Sequence, residues 1–290
     1  MITAPAAPAA LHPAEAQRLA RLALAEDLAG GVDVTTLSTV PAGHRGQARL
    51  VARQGGVVAG LAVAAAVFAE RFGPAGSCRA LAADGDRIDP GQALLEVTGP
   101  TRELLTAERS ALNLLTHLSG VATLTARWVA EVAGTGALIR DTRKTMPGLR
   151  AAQKYAVRCG GGANHRMGLH DQALIKDNHV VAAGGVAAAI RAVRARYPDI
   201  FCEVECDTLD QVAEAVAEGA VLVLLDNMDV DTLRAAVARC APRGTRTEAS
   251  GGLVLETARA VAQTGVDYLA VGALTHSAPV LDIGLDLTPP

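Results

Sequence analysis

The sequence predicts an α/β protein, in which a parallel barrel of β/α units follows a smaller β-rich N-terminal unit. In the second half of the chain, six short apolar runs each end in a charged or glycine-bearing loop and lead into a helical segment. They recur roughly every 20 to 35 residues, which is the spacing of β/α units. The first third instead has turn signals between short apolar runs, a pattern typical of a small β-rich unit.

The elements of the N-terminal third follow from apolar patterning and turns. Residues 49–52 and 57–61 are predicted strands, and residues 62–71 a helix. Asp-Gly at 84–85 and Pro-Gly at 90–91 separate the short apolar runs that follow.

A long helix is predicted from residue 100 to about 132. One face carries apolar residues at the 3.6-residue period: Leu104, Ala111, Leu112, Leu115, Leu118 and Ala122. Arg109 projects away from this stripe, where it can reach a ligand or a partner subunit, although an exposed helical arginine is ordinarily a solvated charge.

The six strands of the second half end in polar or glycine-rich sequence. Their ends read ALIRDTRK, ALIKDN, CEVEC, LVLLDN, TEASGG and YLAVGA. A doubly wound sheet is the alternative to a barrel. We favour the barrel because the polar residues follow the carboxyl ends of the strands, where barrels place their chemistry, and no G-x-G-x-x-G follows a first strand.

Composition restricts the class of function. A net charge of −3 does not supply the basic surface that binds duplex DNA. An aromatic content of 2% leaves few side chains on which the bases of a single strand could stack. The longest uncharged run, about fifteen residues after Gln54, is too short to span a bilayer. We therefore expect no nucleic-acid partner and no membrane partner.

The cysteines and the N-terminus indicate a cytoplasmic protein. Five cysteines form no C-x-x-C pair, so reduced thiols are expected, and Cys159, Cys202 and Cys206 are assigned no role beyond packing. The N-terminus lacks a basic region followed by an apolar core, so no signal peptide is predicted.

A cation cluster lies within residues 141–178. All three lysines of the chain, Lys144, Lys154 and Lys176, fall in this stretch, although 27 residues are Lys or Arg. A lysine supplies a compact point charge that an arginine fork does not reproduce. No ligand role follows for Lys154.

The strand ends bring further cations to the same stretch: Arg143, His165 and Arg166. So many positive groups repel one another unless an anion neutralises them. The cluster predicts a multiply anionic substrate; surface ion pairs with nearby acids are the alternative.

Acids follow at the next strand ends. Glu203 and Glu205 are two residues apart and share a strand face, and Asp226 ends the following strand. Such carboxylates can hold hydrated Mg²⁺ or ribose hydroxyls; buried structural ion pairs are the alternative. His165, His170 and His179 lack a zinc-ligand spacing with the cysteines.

The last two strand ends carry small residues that let backbone N–H groups approach an oxyanion, as barrel phosphate sites do. They are Ser250, Gly251 and Gly252, and then Val271, Gly272 and Ala273.

These motifs together resemble one family, quinolinate phosphoribosyltransferase. The resemblance runs through DTRKTMPGLRAAQKYAVRCGGGANHRMGLHDQALIKDNH, CEVEC, LLDNM, EASGG and DYLAVGALTHS, with earlier echoes in VDVTT and AERSALNLLTHLSG. It covers nearly the whole chain. It implies phosphoribosyl transfer from phosphoribosyl pyrophosphate to quinolinate with Mg²⁺, giving nicotinate mononucleotide, pyrophosphate and CO₂.

The resemblance also implies residue roles. Lys144, Glu205 and Asp226 would be catalytic, with Lys144 facing the pyrophosphate and the two acids facing the ribose and Mg²⁺ through substrate and water. The quinolinate carboxylates would be held by Arg143, His165, Arg166 and Lys176, with Thr142 nearby and Arg109 donated by the partner of a homodimer. The 5′-phosphate would meet the small residues at the last two strand ends, and His276 is a weaker candidate there.

The implied fold is an N-terminal α/β sandwich, residues 1–112 rejoined by 277–290, and an open α/β barrel, residues 113–276. Two alternatives remain open. One is a related pyrophosphorylase of the molybdenum-transport type with a different acceptor, and the other is a catalytically silent nucleotide-binding protein on the same scaffold.

Overall fold

The computed structural model describes residues 10–288. The helices, in chain order, are α1 (Pro13–Leu28), α2 (Val34–Thr39), α3 (Leu61–Phe72), α4 (Thr101–Glu131), α5 (Arg150–Cys159), α6 (Asp177–Ala183), α7 (Val186–Arg196), α8 (Leu209–Ala217), α9 (Val230–Cys240), α10 (Leu255–Ala262) and α11 (Ala273–His276). The strands are β1 (Arg45–Ala52), β2 (Gly56–Val57), β3 (Ser77–Ala80), β4 (Arg87–Ile88), β5 (Ala93–Pro100), β6 (Leu138–Arg140), β7 (Ala173–Ile175), β8 (Cys202–Cys206), β9 (Leu222–Asp226), β10 (Arg246–Ser250), β11 (Tyr268–Ala270) and β12 (Ile283–Leu287).

The described residues form two compact units. The sandwich unit comprises residues 10–126, 146–161 and 274–288, and the barrel unit comprises residues 127–145 and 162–273. The sequence expectation put the boundary between residues 112 and 113. That position lies inside the continuous helix α4, and the units instead divide between Ala126 and Arg127.

The sandwich unit is built on a four-stranded antiparallel sheet in the order β12-β1-β5-β3. Its core joins the inner face of β1 and β5 to α1, α3 and the first half of α4, through side chains such as Leu50, Phe68 and Leu104. The C-terminal strand β12 pairs antiparallel with β1, so the end of the chain rejoins this unit.

Two predicted elements of this unit are confirmed and one is shorter than predicted. The strand at 49–52 lies within β1, and the helix at 62–71 lies within α3. The strand expected at 57–61 ends at Val57. Gly60 takes a φ of 100°, a left-handed conformation that ends the extended backbone and starts α3 at Leu61.

Helix α4 confirms the long helix expected at 100–132. Its apolar stripe is buried: Leu104, Ala111, Leu112, Leu115, Leu118 and Ala122. Arg109 is exposed, as its position away from the stripe predicts.

Helix α5 belongs to the sandwich unit, although the expected barrel range included it. Within that unit the Tyr155 hydroxyl donates to Asp84 Oδ2 at 2.8 Å. The fully buried Gln153 donates to the Thr275 carbonyl at 2.7 Å and lies 2.8 Å from His117 Nε2. These side-chain bonds tie α5 to α4 and to the 84–85 turn.

All six predicted strands of the barrel unit are present, and they form one parallel sheet in the order β6-β11-β10-β9-β8-β7. The first strand of the set therefore pairs with the last. This pairing gives a six-stranded barrel that is open only between β6 and β7. At that opening the segment around Ala163 forms a single parallel bridge with Arg140.

Within residues 10–288, the five cysteines are free thiols. None of the helices in this range has an apolar stretch long enough to cross a membrane, including the 31-residue α4.

Candidate active site

The carboxyl ends of the six parallel strands lie at one edge of the barrel unit. The strand register places Ser250 beside Asp226 and Ala270 beside Arg140. Most of the predicted site residues lie at or just beyond this edge: Thr142, Arg143, Lys144, His165, Arg166, Lys176, Glu205, Asp226, Ser250, Gly251, Gly252, Val271, Gly272 and Ala273. The barrel therefore collects the residues that were predicted from separate strand ends.

Two arginines at this edge, Arg143 and Arg166, are close enough for their positive charges to oppose each other. Arg166 is buried, with 8% of its surface exposed, and its Nη1 donates to the Gln172 carbonyl at 3.1 Å. Burial lowers the pKa of Arg166, and the positive charge of Arg143 lowers it further. The Nε of Arg143 is itself buried and has no hydrogen-bond partner among residues 10–288. A bound anion would relieve both the repulsion and the unsatisfied donor.

The predicted acids lie beside these cations. Glu205 is buried and forms an ion pair with Lys176 Nζ. Asp226 is half-buried and accepts a hydrogen bond from Asn227 Nδ2 at 2.6 Å. Lys176 is 47% exposed at its side chain, so it can reach a ligand at the edge while it balances Glu205.

Carboxylate oxygens suit Mg²⁺, and Glu205 and Asp226 offer them. Within residues 10–288, neither acid belongs to a group of three or more His, Cys, Asp or Glu side chains at metal-ligand distances. Glu205 is also paired with the positive charge of Lys176. The two acids therefore fit a hydrated ion that takes its other ligands from a substrate and from water.

The turn after β10 requires glycine. Gly251 has a φ of 86°, and a Cβ at this position would lie 2.2 Å from Asn227 Oδ1. Gly252 follows with a φ of 60°. Asn227 donates its backbone N–H to the Ser250 carbonyl at 2.9 Å, which ties this turn to the end of β9. A turn without Cβ atoms leaves room for a ligand to approach its backbone, which is what a phosphate site would need.

Two predicted residues belong to the sandwich unit. Arg109 is exposed on α4, and no hydrogen bond of its side chain is found among the described residues. His276 is exposed at the end of α11, with Nδ1 at 2.6 Å from Ser277 Oγ.

Sequence reasoning missed three residues of a polar network inside the barrel: Arg140, Gln172 and Glu248. Arg140 pairs with the fully buried Glu248, and its guanidinium lies 4.6 Å from the centroid of the Tyr268 ring. The arginine that ends the apolar run ALI was the available signal for Arg140, and the strand RTEAS offered none as clear for Glu248.

Glu203 belongs to this network. It is fully buried, and its Oε2 lies 2.8 Å from both Gln172 Nε2 and His165 Nε2. Glu203 is thus enclosed by polar groups of the barrel interior, and its contact with His165 is an ion pair only if the ring is protonated. Glu205 faces the site edge two residues later on the same strand face.

Burial dominates the electrostatics of the network. It raises the pKa of Glu203 to about 7 and that of Glu248 to about 7, and the charge of Glu203 adds to the rise at Glu248. Arg140 opposes both shifts. The interior is therefore balanced close to neutrality rather than strongly anionic.

His165, Glu203 and Glu248 bring three potential metal-ligand atoms within 4.8 Å of one another. The protonation of the His165 ring makes a metal ion between these three side chains unfavourable. Its Nδ1 accepts the Arg166 backbone N–H at 2.7 Å, so the proton of a neutral ring resides on Nε2. A protonated Nε2 does not ligate a metal.

The chain is similar to known proteins over almost its whole length. The family model for the quinolinate phosphoribosyl transferase C-terminal domain matches residues 121–286, and the model for the N-terminal domain matches residues 33–119. The carboxylating nicotinate-nucleotide pyrophosphorylase of Mycobacterium leprae is 57% identical over 271 residues, which cover 92% of this chain and 95% of that protein. The chloroplastic enzyme of the same name from Arabidopsis thaliana is 40% identical, covering 95% and 84%.

Solved structures of proteins with the same name have a similar fold. The nicotinate-nucleotide pyrophosphorylase from Francisella tularensis superposes with a TM-score of 0.90 at 36% identity, covering 96% of this chain and 98% of that chain. NadC from Streptococcus pyogenes gives a TM-score of 0.91 at 38% identity, covering 97% and 99%.

The Arg140–Glu248 pair should be a main determinant of barrel stability. We expect Glu248→Ala to lower the free energy of unfolding by about 3 kcal/mol, because it leaves Arg140 buried without its carboxylate. Urea unfolding at pH 8, above the raised pKa of Glu248, measures the loss. Glu256→Ala, at an exposed position on α10, is the matched control. The double variant Arg140→Met/Glu248→Leu should recover much of the loss, and equal destabilisation by the single and double variants would contradict this explanation.

Proposed function

The chain belongs to the quinolinate phosphoribosyltransferase family, and from this we propose that it transfers phosphoribose from phosphoribosyl pyrophosphate to the ring nitrogen of quinolinate. The products are nicotinate mononucleotide, pyrophosphate and CO₂, in NAD biosynthesis. The alternatives, a molybdenum-transport pyrophosphorylase and a silent nucleotide-binding protein, are not favoured, since the chain is 57% identical to a carboxylating nicotinate-nucleotide pyrophosphorylase over almost its whole length.

The observation that carries the proposal is the pair Arg143 and Arg166. Their mutual repulsion and the unsatisfied Arg143 Nε call for an anion with more than one charge. A planar guanidinium forks onto a carboxylate with two parallel hydrogen bonds, so two arginines match a dicarboxylate better than a single phosphate. In our proposal they hold the quinolinate carboxylates together with Lys176. Thr142 precedes Arg143 just beyond the end of β6 and belongs to the same binding site. His165 is assigned to the same carboxylates, as the family resemblance implies.

Lys144 and the acids are assigned to phosphoribosyl pyrophosphate. Lys144 is exposed beyond β6, where its point charge can meet the pyrophosphate. Glu205 and Asp226 take the ribose hydroxyls and Mg²⁺. The 5′-phosphate is assigned to the backbone N–H groups of the last two strand ends, with His276 as a weaker candidate: Ser250, Gly251, Gly252, Val271, Gly272 and Ala273.

The reaction proceeds from this arrangement without a side-chain nucleophile. When bound, Mg²⁺ neutralises charge on the departing pyrophosphate. Glu205 and Asp226 stabilise the positive charge that develops on the ribose carbon, while Arg143 and Arg166 keep the pyridine nitrogen facing it. Alkylation of that nitrogen turns the ring into an electron sink. The adjacent carboxylate then leaves as CO₂, its bonding electrons remain on the ring carbon, and that carbon takes a proton from water. This step needs orientation more than a catalytic acid.

We further propose a homodimer in which Arg109 from one subunit joins the site of the other. Arg109 is exposed and stands off the buried stripe of α4, which suits a residue that acts on a second chain. A cytoplasmic location is also proposed, since free thiols suit a reducing compartment.

The proposed reaction is tested with purified protein, phosphoribosyl pyrophosphate and Mg²⁺. We expect quinolinate to yield CO₂ and nicotinate mononucleotide in equal amounts, measured by release of labelled CO₂ and by chromatography. Nicotinate is the matched control acceptor, because it lacks the second carboxylate. Comparable turnover of nicotinate, or no product from quinolinate, would refute the proposal.

Lys144→Arg should reduce kcat by about 100-fold, because a wide fork beside the pyrophosphate misplaces the charge that a lysine supplies. Steady-state kinetics measure the loss. The thermal unfolding midpoint should stay unchanged, since Lys144 is exposed. Wild-type turnover by this variant would remove Lys144 from the catalytic assignment.

Sharing of the site predicts complementation. Arg109→Ala and Lys176→Ala proteins should each be inactive, whereas an exchanged equal mixture should regain about a quarter of wild-type activity, because half the dimers are hybrids with one intact site. Activity after mixing is the measurement, with subunit exchange followed by mass spectrometry of differently tagged chains. No recovery despite complete exchange would place Arg109 in its own subunit's site or outside the site.

A further inference from the structure

Asp141 carries a fully buried carboxylate directly after β6. Its Oδ1 accepts the His165 backbone N–H at 2.8 Å, and its Oδ2 accepts a hydrogen bond from Asn164 Nδ2 at 2.5 Å. Taking a carboxylate out of water costs free energy unless donors satisfy its oxygens, and hydrogen bonds to a carboxylate are shorter and stronger than bonds between neutral groups. Asp141 therefore holds two consecutive residues of another segment.

The segment that Asp141 holds has no regular secondary structure, since residues 164–166 belong to neither a helix nor a strand. Just before it, Ala163 is bonded on both sides to the end of β6. Its N–H donates to the Ile139 carbonyl at 2.8 Å, and its carbonyl accepts the Asp141 N–H at 3.2 Å. The Asp141 side chain continues this attachment through Asn164 and His165, where the backbone pairing has ended.

The residues on either side of this attachment are those assigned to the substrate carboxylates. Arg143 lies two residues after Asp141, and Arg166 directly follows the His165 peptide that Asp141 holds. The direction in which a side chain leaves the backbone depends on the backbone of its own residue. A shift of the 164–165 backbone would therefore move His165 and Arg166 relative to Arg143.

We propose that Asp141 is a positioning residue, which fixes residues 164–166 to the end of β6 so that His165, Arg166 and Arg143 meet the two carboxylates of quinolinate together. This inference rests on the proposed function and assigns Asp141 no contact with the substrate. Asn164 takes part as the second donor to the Asp141 carboxylate.

The contacts to phosphoribosyl pyrophosphate should not depend on this carboxylate. The Lys144 backbone N–H donates to Thr142 Oγ1 at 3.0 Å, so the turn that carries Lys144 has a hydrogen bond of its own. The acids assigned to the ribose lie on β8 and β9. Loss of the Asp141 carboxylate should therefore affect one substrate more than the other.

The barrel unit offers a matched control at the other ends of its strands. Asp267 directly precedes β11, and its Oδ2 accepts the Thr247 N–H at 2.8 Å and the Thr247 hydroxyl at 3.2 Å. This carboxylate also ties two segments together, but at the amino ends of β10 and β11. Asp267→Ala should lower the thermal unfolding midpoint and leave both KM values unchanged.

Steady-state kinetics test the role of Asp141. Asp141→Ala should raise KM for quinolinate about 10-fold, because displaced ligands lose their common geometry, and should leave KM for phosphoribosyl pyrophosphate within about 2-fold. An unchanged KM for quinolinate, or an equal rise for both substrates, would overturn the proposal.

Asp141→Asn separates position from charge. Both Asp141 variants lose the negative charge, but asparagine keeps an oxygen that can accept the His165 N–H. Its KM for quinolinate should lie within about 3-fold of the wild-type value. If the folded Asn variant were as impaired as the Ala variant, the charge of Asp141 rather than its hydrogen bonds would be responsible, and the proposal would fail.

Asn164 provides a milder variant for the case in which Asp141→Ala does not fold. Asn164→Ala removes one of the two donors, so KM for quinolinate should rise about 3-fold. In folded protein, the double variant Asp141→Ala/Asn164→Ala should match Asp141→Ala, because Asn164 acts through that carboxylate. No change in Asn164→Ala, or multiplied effects in the double variant, would contradict the arrangement.

Hydrogen exchange followed by mass spectrometry tests the attachment without any substrate. Peptides that cover residues 164–166 should exchange faster in Asp141→Ala, or in Asn164→Ala if the first variant does not fold, than in the wild-type protein. Peptides that cover β9 are the internal reference. Unchanged exchange at 164–166 would overturn the proposal. Absence of turnover by the wild-type protein would instead refute the proposed function, and the exchange rates would still decide whether Asp141 fixes this segment.

Discussion

Pairing of the first barrel strand with the last is the interaction on which the rest of the site depends. Hydrogen bonds between β6 and β11 bring the DTRK turn beside the last strand ends, although about 130 residues separate them along the chain. Without this pairing the cations that follow β6 and the glycine-containing turns that follow β10 and β11 would lie far apart in an open sheet. The remaining opening, between β6 and β7, is where residues 163–172 enter. This segment carries both His165 and Arg166.

Charge balance in the barrel follows from that topology. Arg140 and Glu248 lie on strands that flank β11, and their ion pair satisfies two groups that would be costly to bury singly. Glu203 on β8 accepts a hydrogen bond from Gln172, and the charges of Arg140 and Arg166 favour its ionised form. The interior is thus balanced by contacts within the protein. At the edge, by contrast, Arg143 and Arg166 remain short of negative charge, and this imbalance is what a dianionic substrate can use.

The predicted fold was correct because it depends on local signals. Apolar runs that end in polar residues defined all six barrel strands, and the period of α4 placed Arg109 on its exposed side. The glycines at 251 and 252 were recognised because a tight turn near an anion needs them. The domain boundary at residue 112 was placed differently by the structure, since a continuous helix has no local signal for where its contacts change from one unit to the other.

The sequence by itself determined which residues reach the carboxyl edge of the barrel, because in parallel strands this depends only on where each strand ends. The tertiary structure alone decided how the buried polar groups pair. Glu203 and Glu205 are indistinguishable by alternation, yet one accepts a hydrogen bond from Gln172 inside the barrel and the other pairs with Lys176 at the edge. Arg140 and Glu248 are 108 residues apart, and their partnership follows from strand order rather than from any local pattern. Pairing of buried charges depends on distances across the barrel, and periodicity along a single strand carries no information about them.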